Sequence, residues 1–163
     1  MNLKVKQLNW IGSFFCALLM SYALFAQYVL GLEPCPLCIF QRISVITLGA
    51  IFLIAALYNP SRISSLIYSV LIFFVSGIGI GLAGRHIWLQ NLPAEKVPAC
   101  GPGLDFMLNS FPFSQVLKIV LSGSGECAIV DWSFLGLSMP SWVALSLSLL
   151  LVFGCWNNFR KID

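Results

Sequence analysis

Charge is what this sequence has least of. Of its 163 residues only 9% are Asp, Glu, Lys or Arg, while 59% are hydrophobic. A soluble domain carries about 25% charge. So little polar surface cannot cover a globule in water, which excludes a soluble protein. The net charge of +3 does not indicate a nucleic-acid partner, because its placement follows membrane topology. Internal repeats are absent, and the one short low-complexity tract is Ser122-Gly-Ser-Gly125.

Long apolar runs are what the chain does have. A bilayer core of roughly 30 Å takes about 20 apolar residues in a helical span. Four stretches qualify: Trp10–Leu30, Ile39–Tyr58, Ser65–Gly84 and Ser141–Trp156. The third contains Gly77, Gly79, Gly81 and Gly84, small residues suited to close helix packing. The apolar run of the first exceeds the 7–15 residues of a signal-peptide core, and Ala23 and Ala26 make no good cleavage site, so it reads as a retained helix. The expected fold is an all-α membrane protein, one domain over residues 1–163 built as a four-helix transmembrane bundle. Lys4, Lys6, Arg62, Arg160 and Lys161 flank the spans on one side. The positive-inside rule makes that side cytoplasmic, with both termini and the turn near residues 59–64. Residues 31–38 and the long segment 85–140 then lie outside.

The six cysteines sort by depth on this topology. Cys16 and Cys155 fall inside spans, where a cysteine is most often a small buried hydrophobe. Cys35, Cys38, Cys100 and Cys127 all fall in the outer segments, and none falls in the cytoplasmic turn or tails. Disulfides persist outside the membrane, so four outer thiols suggest two bridges. Of three possible pairings, Cys35–Cys38 with Cys100–Cys127 is favoured, because a C-x-x-C closes locally. So small a ring adds little stability, since the stabilisation grows with loop length; stapling is a weak reason for it. A Cys₄ zinc site is the other reading. Its second half is normally another C-x-x-C, whereas here 26 residues separate the second pair and no histidine lies near in sequence. No metal is expected.

Cys38 has the setting of a reactive thiol. It opens the second span behind Pro34 and Pro36, and proline suits a helix's first turn. Arg42, four residues on, shares its helix face. The helix N-terminus carries about half a positive charge and Arg42 a full one. Both favour the thiolate, the reactive form of cysteine. An arginine near membrane depth is costly without a partner; it either snorkels to the headgroups or serves the thiolate and a polar cofactor head. His86, the single histidine, ends the third span on the same outer side, placed for a quinone carbonyl or a proton, or simply at the interface.

The outer segment 85–140 is too long for a simple connector. Pro93, Pro98, Gly101 and Pro102 around Cys100 predict an exposed, extended stretch. Phe111–Leu121 has the spacing of an amphipathic interfacial helix. The Ser122–Gly125 tract predicts flexibility before Cys127, enough for it to swing toward Cys35. Trp88, Trp132, Phe134 and Trp142 look like interfacial aromatics.

Three features occur together in order: the C-x-x-C-I-x-x-R segment Cys35–Arg42, the outer pair Cys100 and Cys127, and Trp132-x-Phe-Leu-Gly-Leu-x-Met-Pro-x-Trp142 after Gly125-Glu-Cys127. This set resembles the DsbB family of disulfide bond formation proteins over nearly the whole chain. Phe40-Gln41 stands where an aromatic–acidic pair is more familiar, which touches local tuning. The resemblance implies a bacterial inner-membrane oxidoreductase. A reduced periplasmic DsbA-type thioredoxin-fold oxidase attacks Cys100 of the Cys100–Cys127 disulfide, and electrons pass to Cys35–Cys38. Cys38 then reduces ubiquinone, or menaquinone without oxygen, from the membrane quinone pool near Arg42 and His86. Such disulfides must be weak. Structural bridges lie below about −300 mV and DsbA near −120 mV, a gap of roughly 180 mV or about 8 kcal/mol. Two alternatives differ in class. A vitamin K epoxide reductase-like oxidase would carry its C-x-x-C near a later span, and a stapled interaction protein would use its loop bridge without turnover.

Overall fold

A computed structural model describes residues 5–58, 61–98, 111–112, 114–115, 120, 122–123 and 125–160. Four long helices dominate: α1 (Val5–Tyr28), α2 (Pro36–Tyr58), α3 (Arg62–Gln90) and α4 (Met139–Phe159). All four are long and apolar enough to cross a membrane. The chain is an all-α, four-helix membrane bundle, as its composition predicts. The termini lie at one end, here the terminal end; the α1–α2 and α3–α4 connections lie at the other, the loop end.

Local sequence explains the helix boundaries. At the end of α1, Gly31 adopts a φ of 69°, a left-handed conformation that glycine takes without a Cβ penalty. The Leu32 N–H then donates to the Ala26 carbonyl at 3.1 Å. Pro36 opens α2, where its missing N–H costs nothing. Ser61 caps α3, its hydroxyl accepting from the Ser64 N–H at 3.4 Å, as serine commonly does at an N-cap. That helix runs beyond its apolar stretch to Gln90 and so carries His86 within its last turns.

The interior and exterior are arranged for lipid. Phe14, Phe73, Phe74, Ile78, Leu149 and Val152 face outward, while Asn9, Gln41, Ser65, Ser69, Ser76, His86, Asn157 and Asn158 are buried. Polar side chains inside apolar helices avoid hydrocarbon by facing one another. The core centres on Phe52, which is fully buried. A Cβ at Gly12 of α1 would sit 2.9 Å from its ring, and one at Gly154 of α4 2.7 Å. These two glycines let α1 and α4 both close on the Phe52 ring of α2. Of the four α3 glycines expected to permit close packing, only Gly79 has a close neighbour, where a Cβ would meet Leu147 at 2.6 Å. Among the described residues Gly77, Gly81 and Gly84 face open space, so their smallness serves no contact with the other three helices there.

α1 packs mainly on α2, and α4 mainly on α3. At the terminal end, amides tie the outer pair together: the Asn9 side-chain oxygen accepts from the Asn157 amide at 3.0 Å and the Asn158 amide at 3.3 Å. Toward the loop end α1 and α4 flank a cleft instead. A β-hairpin precedes α4, with β1 (Ser133–Phe134) paired to β2 (Leu137–Ser138). Positive φ at Leu135 and Gly136 suits the tight turn such a two-residue hairpin loop requires.

Candidate functional site

The site forms where the start of α2, the end of α3 and the segment before α4 converge. Cys35 precedes the first turn of α2, and Ile39 N–H donates to its carbonyl at 3.2 Å. That turn folds the C-x-x-C back on itself, so the Cys35 thiol donates to the Cys38 sulfur at 3.0 Å. The Cys38 N–H points at the Cys35 sulfur at 3.4 Å. Cys16, Cys35, Cys38 and Cys155 are unbridged thiols.

His86 sits across from both sulfurs. Its Nε2 lies 3.8 Å from Cys35 Sγ and its Nδ1 3.9 Å from Cys38 Sγ. The Gln41 amide nitrogen approaches Nδ1 at 3.3 Å, and both Gln41 and His86 are buried. Extension of α3 to Gln90 is what brings His86 onto the dithiol. The sequence-based argument that no histidine lies near the cysteines fails here, because helix packing closes a gap that sequence distance leaves open.

Cys127 completes the cluster. Its sulfur, Cys35 Sγ and a His86 ring nitrogen all lie within 4.8 Å of one another. Cys127 is 1% exposed and rides on a 3₁₀ turn, Gly125–Ala128. Packing holds this turn in place: Leu37, Leu82, Leu89 and Val120 form an apolar cluster with Cys35 and Cys127. The Ser122 carbonyl accepts from Arg85 at 2.8 Å, and Gly123 rests so close to Leu89 that a Cβ would lie 2.4 Å from its methyl carbon. The anticipated swing of Cys127 toward Cys35 is therefore already made. Cys100 lies outside the described residues, as does most of the expected Phe111–Leu121 helix.

Arg42 occupies the face expected of it, one turn beyond Cys38, but its head is held by α1. Its guanidinium donates to the Gln27 side-chain oxygen and to the Ala23 carbonyl at 3.2 Å. Gln27 and Gln41 are the residues that sequence reasoning missed as site components. The available signal was an amide within or beside an apolar span, where a polar side chain needs a partner.

A cleft of about 1130 Å³ adjoins this chemistry. Ala23 and Gln27 of α1, Cys38 and Arg42 of α2, and Val143 and Ser146 of α4 line it, and Cys35 and His86 also reach it. Its rim is aromatic. Trp132 meets Tyr22 edge-on with centroids 6.0 Å apart and stacks on Phe134 at 6.2 Å. Trp142 donates its indole N–H to the Phe134 carbonyl at 3.1 Å. The hairpin thus fixes three of the expected interfacial aromatics across the mouth, from α1 to α4.

The comparisons agree with the geometry. The family model for "Disulfide bond formation protein DsbB" matches residues 5–157. A relative from Nitrosococcus oceani, named Disulfide bond formation protein B, is 51% identical over 160 residues, covering 98% of this chain and 95% of its own. Proteins of the same name from Methylococcus capsulatus and Acinetobacter baumannii are 48% and 49% identical, covering 92% and 86% of this chain and 93% and 83% of theirs. With four apolar helices around a cysteine cluster and a match over nearly its whole length, the chain belongs to the DsbB family of disulfide-bond-forming membrane proteins.

Proposed function

We propose that the protein reoxidises a periplasmic DsbA-type thiol oxidase and passes the electrons through Cys100–Cys127 and Cys35–Cys38 to a membrane quinone, ubiquinone or menaquinone. The observation that carries this reading is the junction of cleft and cluster. Cys38 and Arg42 line an apolar cleft large enough for a quinone head and part of its tail, while Cys127 comes within 4.8 Å of Cys35. Ligand sites are commonly apolar clefts with a few placed polar groups.

In this reading the partner's thiolate attacks Cys100, and the Cys100–Cys127 bond breaks. Cys127, released as a thiolate, attacks Cys35, forming a Cys35–Cys127 bond as the Cys35–Cys38 bond breaks and leaving the electron pair on Cys38. The partner's second thiol then releases Cys100, which displaces Cys35 from Cys127, and Cys35 bonds Cys38 again as the quinone takes up the electron pair. His86, within 4 Å of both sulfurs, takes and returns the proton that each exchange moves. Arg42, fixed by Gln27 and Ala23, holds positive charge where oxygen charge develops. A quinone bound there accepts the two electrons and two protons that the partner's dithiol gives up. The net reaction turns a dithiol and a quinone into a disulfide and a quinol, so electrons and protons balance. The reading also puts the protein in the bacterial inner membrane, with both termini cytoplasmic and the loop end periplasmic.

The test is to mix the purified protein with a reduced DsbA-type thioredoxin-fold protein and a soluble ubiquinone analogue and follow quinone absorbance. Catalytic loss of quinone, abolished by Cys38→Ala, is expected. Failure of every periplasmic dithiol to drive quinone reduction would overturn the proposal.

A further inference from the structure

We propose that the fully reduced protein is a binding site for one thiophilic divalent cation, Zn²⁺ or Cd²⁺, held by Cys35, Cys38, Cys127 and His86. Three cysteines and one histidine are an established tetrahedral zinc set. With Zn–S near 2.3 Å and Zn–N near 2.0–2.1 Å, the ligand atoms of a tetrahedron stand about 3.5–3.8 Å apart. Here Cys35 Sγ and His86 Nε2 are 3.8 Å apart, and the Cys35, His86 and Cys127 ligand atoms all fall within 4.8 Å. Cys38, 3.0 Å from Cys35, stands outside that 4.8 Å group and supplies the fourth corner only by turning its thiol away from Cys35 and toward Cys127. Two corners therefore come from a C-x-x-C, one from α3 and one from the loop turn. Binding draws the Cys35, His86 and Cys127 ligand atoms in by about 1 Å or less and requires a larger rotation of Cys38.

A second observation favours the same set. A metal-bound imidazole holds its other nitrogen by a hydrogen bond. The nitrogen that faces Cys35 is Nε2; Nδ1 faces the buried amide of Gln41 at 3.3 Å and, farther off, Cys38 Sγ at 3.9 Å. An amide serves either tautomer by turning over: its nitrogen donates to a bare Nδ1, or its oxygen accepts from Nδ1–H. The second arrangement frees the Nε2 lone pair for a cation without adding a buried charge.

The consequence is chemical. Binding displaces the thiol protons and occupies the sulfur lone pairs that thiol–disulfide exchange uses, so the loaded, reduced protein is held out of turnover. The oxidised protein, whose sulfurs are bridged, offers no such site. The inference stands on the cluster's geometry and not on the quinone reading, and its test reads binding directly.

Purified protein carrying Cys16→Ala and Cys155→Ala, fully reduced under argon, is titrated with Cd²⁺ while thiolate-to-metal charge-transfer absorption is recorded; Zn²⁺ is added in competition. One cation per chain is expected, lost after oxidation and weakened at least tenfold by Cys127→Ser and by His86→Ala. Cys100→Ser should bind like its parent. Gln41→Leu, acting through His86, should cost about tenfold. X-ray absorption of the Zn²⁺ form of the parent should give three sulfurs and one nitrogen, which settles the ligands without a variant. Four sulfurs, loss of binding in Cys100→Ser, or equal binding in Cys127→Ser and His86→Ala would each overturn the proposal, as would no band in the reduced protein.

Discussion

Replacing Gln27 with leucine tests how Arg42 is made useful. The guanidinium has two described acceptors, the Gln27 side chain and the Ala23 carbonyl, both on α1. Leucine keeps the bulk and removes one of them. A hydrogen bond to a charged group is worth about 1.5–3 kcal/mol. Both residues are only half-buried, so the lower end applies, about tenfold in an equilibrium constant. Freed on that side, the head points into the cleft less often. KM for a quinone analogue should rise about tenfold, while kcat falls less. Gln27→Glu separates position from charge: its carboxylate holds the guanidinium firmly but cancels the field, so kcat should fall as well. Steady-state quinone reduction with a saturating reduced dithiol partner measures both constants. Wild-type values in both variants would refute the idea that α1 positions Arg42.

Other perturbations probe the bundle and the relay. With Cys38→Ser and Cys100→Ser combined, Cys35 and Cys127 should bridge on mild oxidation, seen as a linked peptide pair by mass spectrometry; only unlinked peptides would contradict their placement. Adding Arg85→Ala to that background should slow the bridging severalfold, because the Ser122 carbonyl loses this donor. Gly79→Ala should lower thermal stability in detergent by about 1–3 kcal/mol through overpacking, whereas Gly81→Ala, facing open space, should raise it by up to about 1 kcal/mol through helix propensity. Asn9→Leu should cost about 1–2 kcal/mol, since interhelical hydrogen bonds in membranes average about 0.6 kcal/mol each.

The fold was legible because membrane helices announce themselves by length and apolarity, and topology then sorted the cysteines by depth. Cys38 with Arg42 was legible because i and i+4 share a helix face. What the sequence hid was everything set by packing between elements. Nothing near His86 says that α3 continues far enough to lay the ring on Cys35. Nothing in Ser122-Gly-Ser-Gly125 says that Gly123 nests against Leu89 and delivers Cys127 rather than tethering it loosely. The α3 glycines misled in the opposite sense: four small residues in a span suggest a packed face, yet only Gly79 is on one. Gln27 and Gln41 were visible as amides, but their partners lie on other helices.

The amide clasp of Asn9, Asn157 and Asn158 joins α1 to α4 at the terminal end, and the cleft between them is a doorway at the other. The doorway extends along α4 from Met139 to Ser146, about 10 Å at 1.5 Å per residue, on a helix long and apolar enough to cross a membrane. The quinone proposed for this site, dissolved in lipid, would reach it by a two-dimensional search through the membrane. Its working concentration is moles per mole of lipid. An apparent affinity quoted per litre of buffer will shift whenever the lipid or detergent content changes, with no change in the protein.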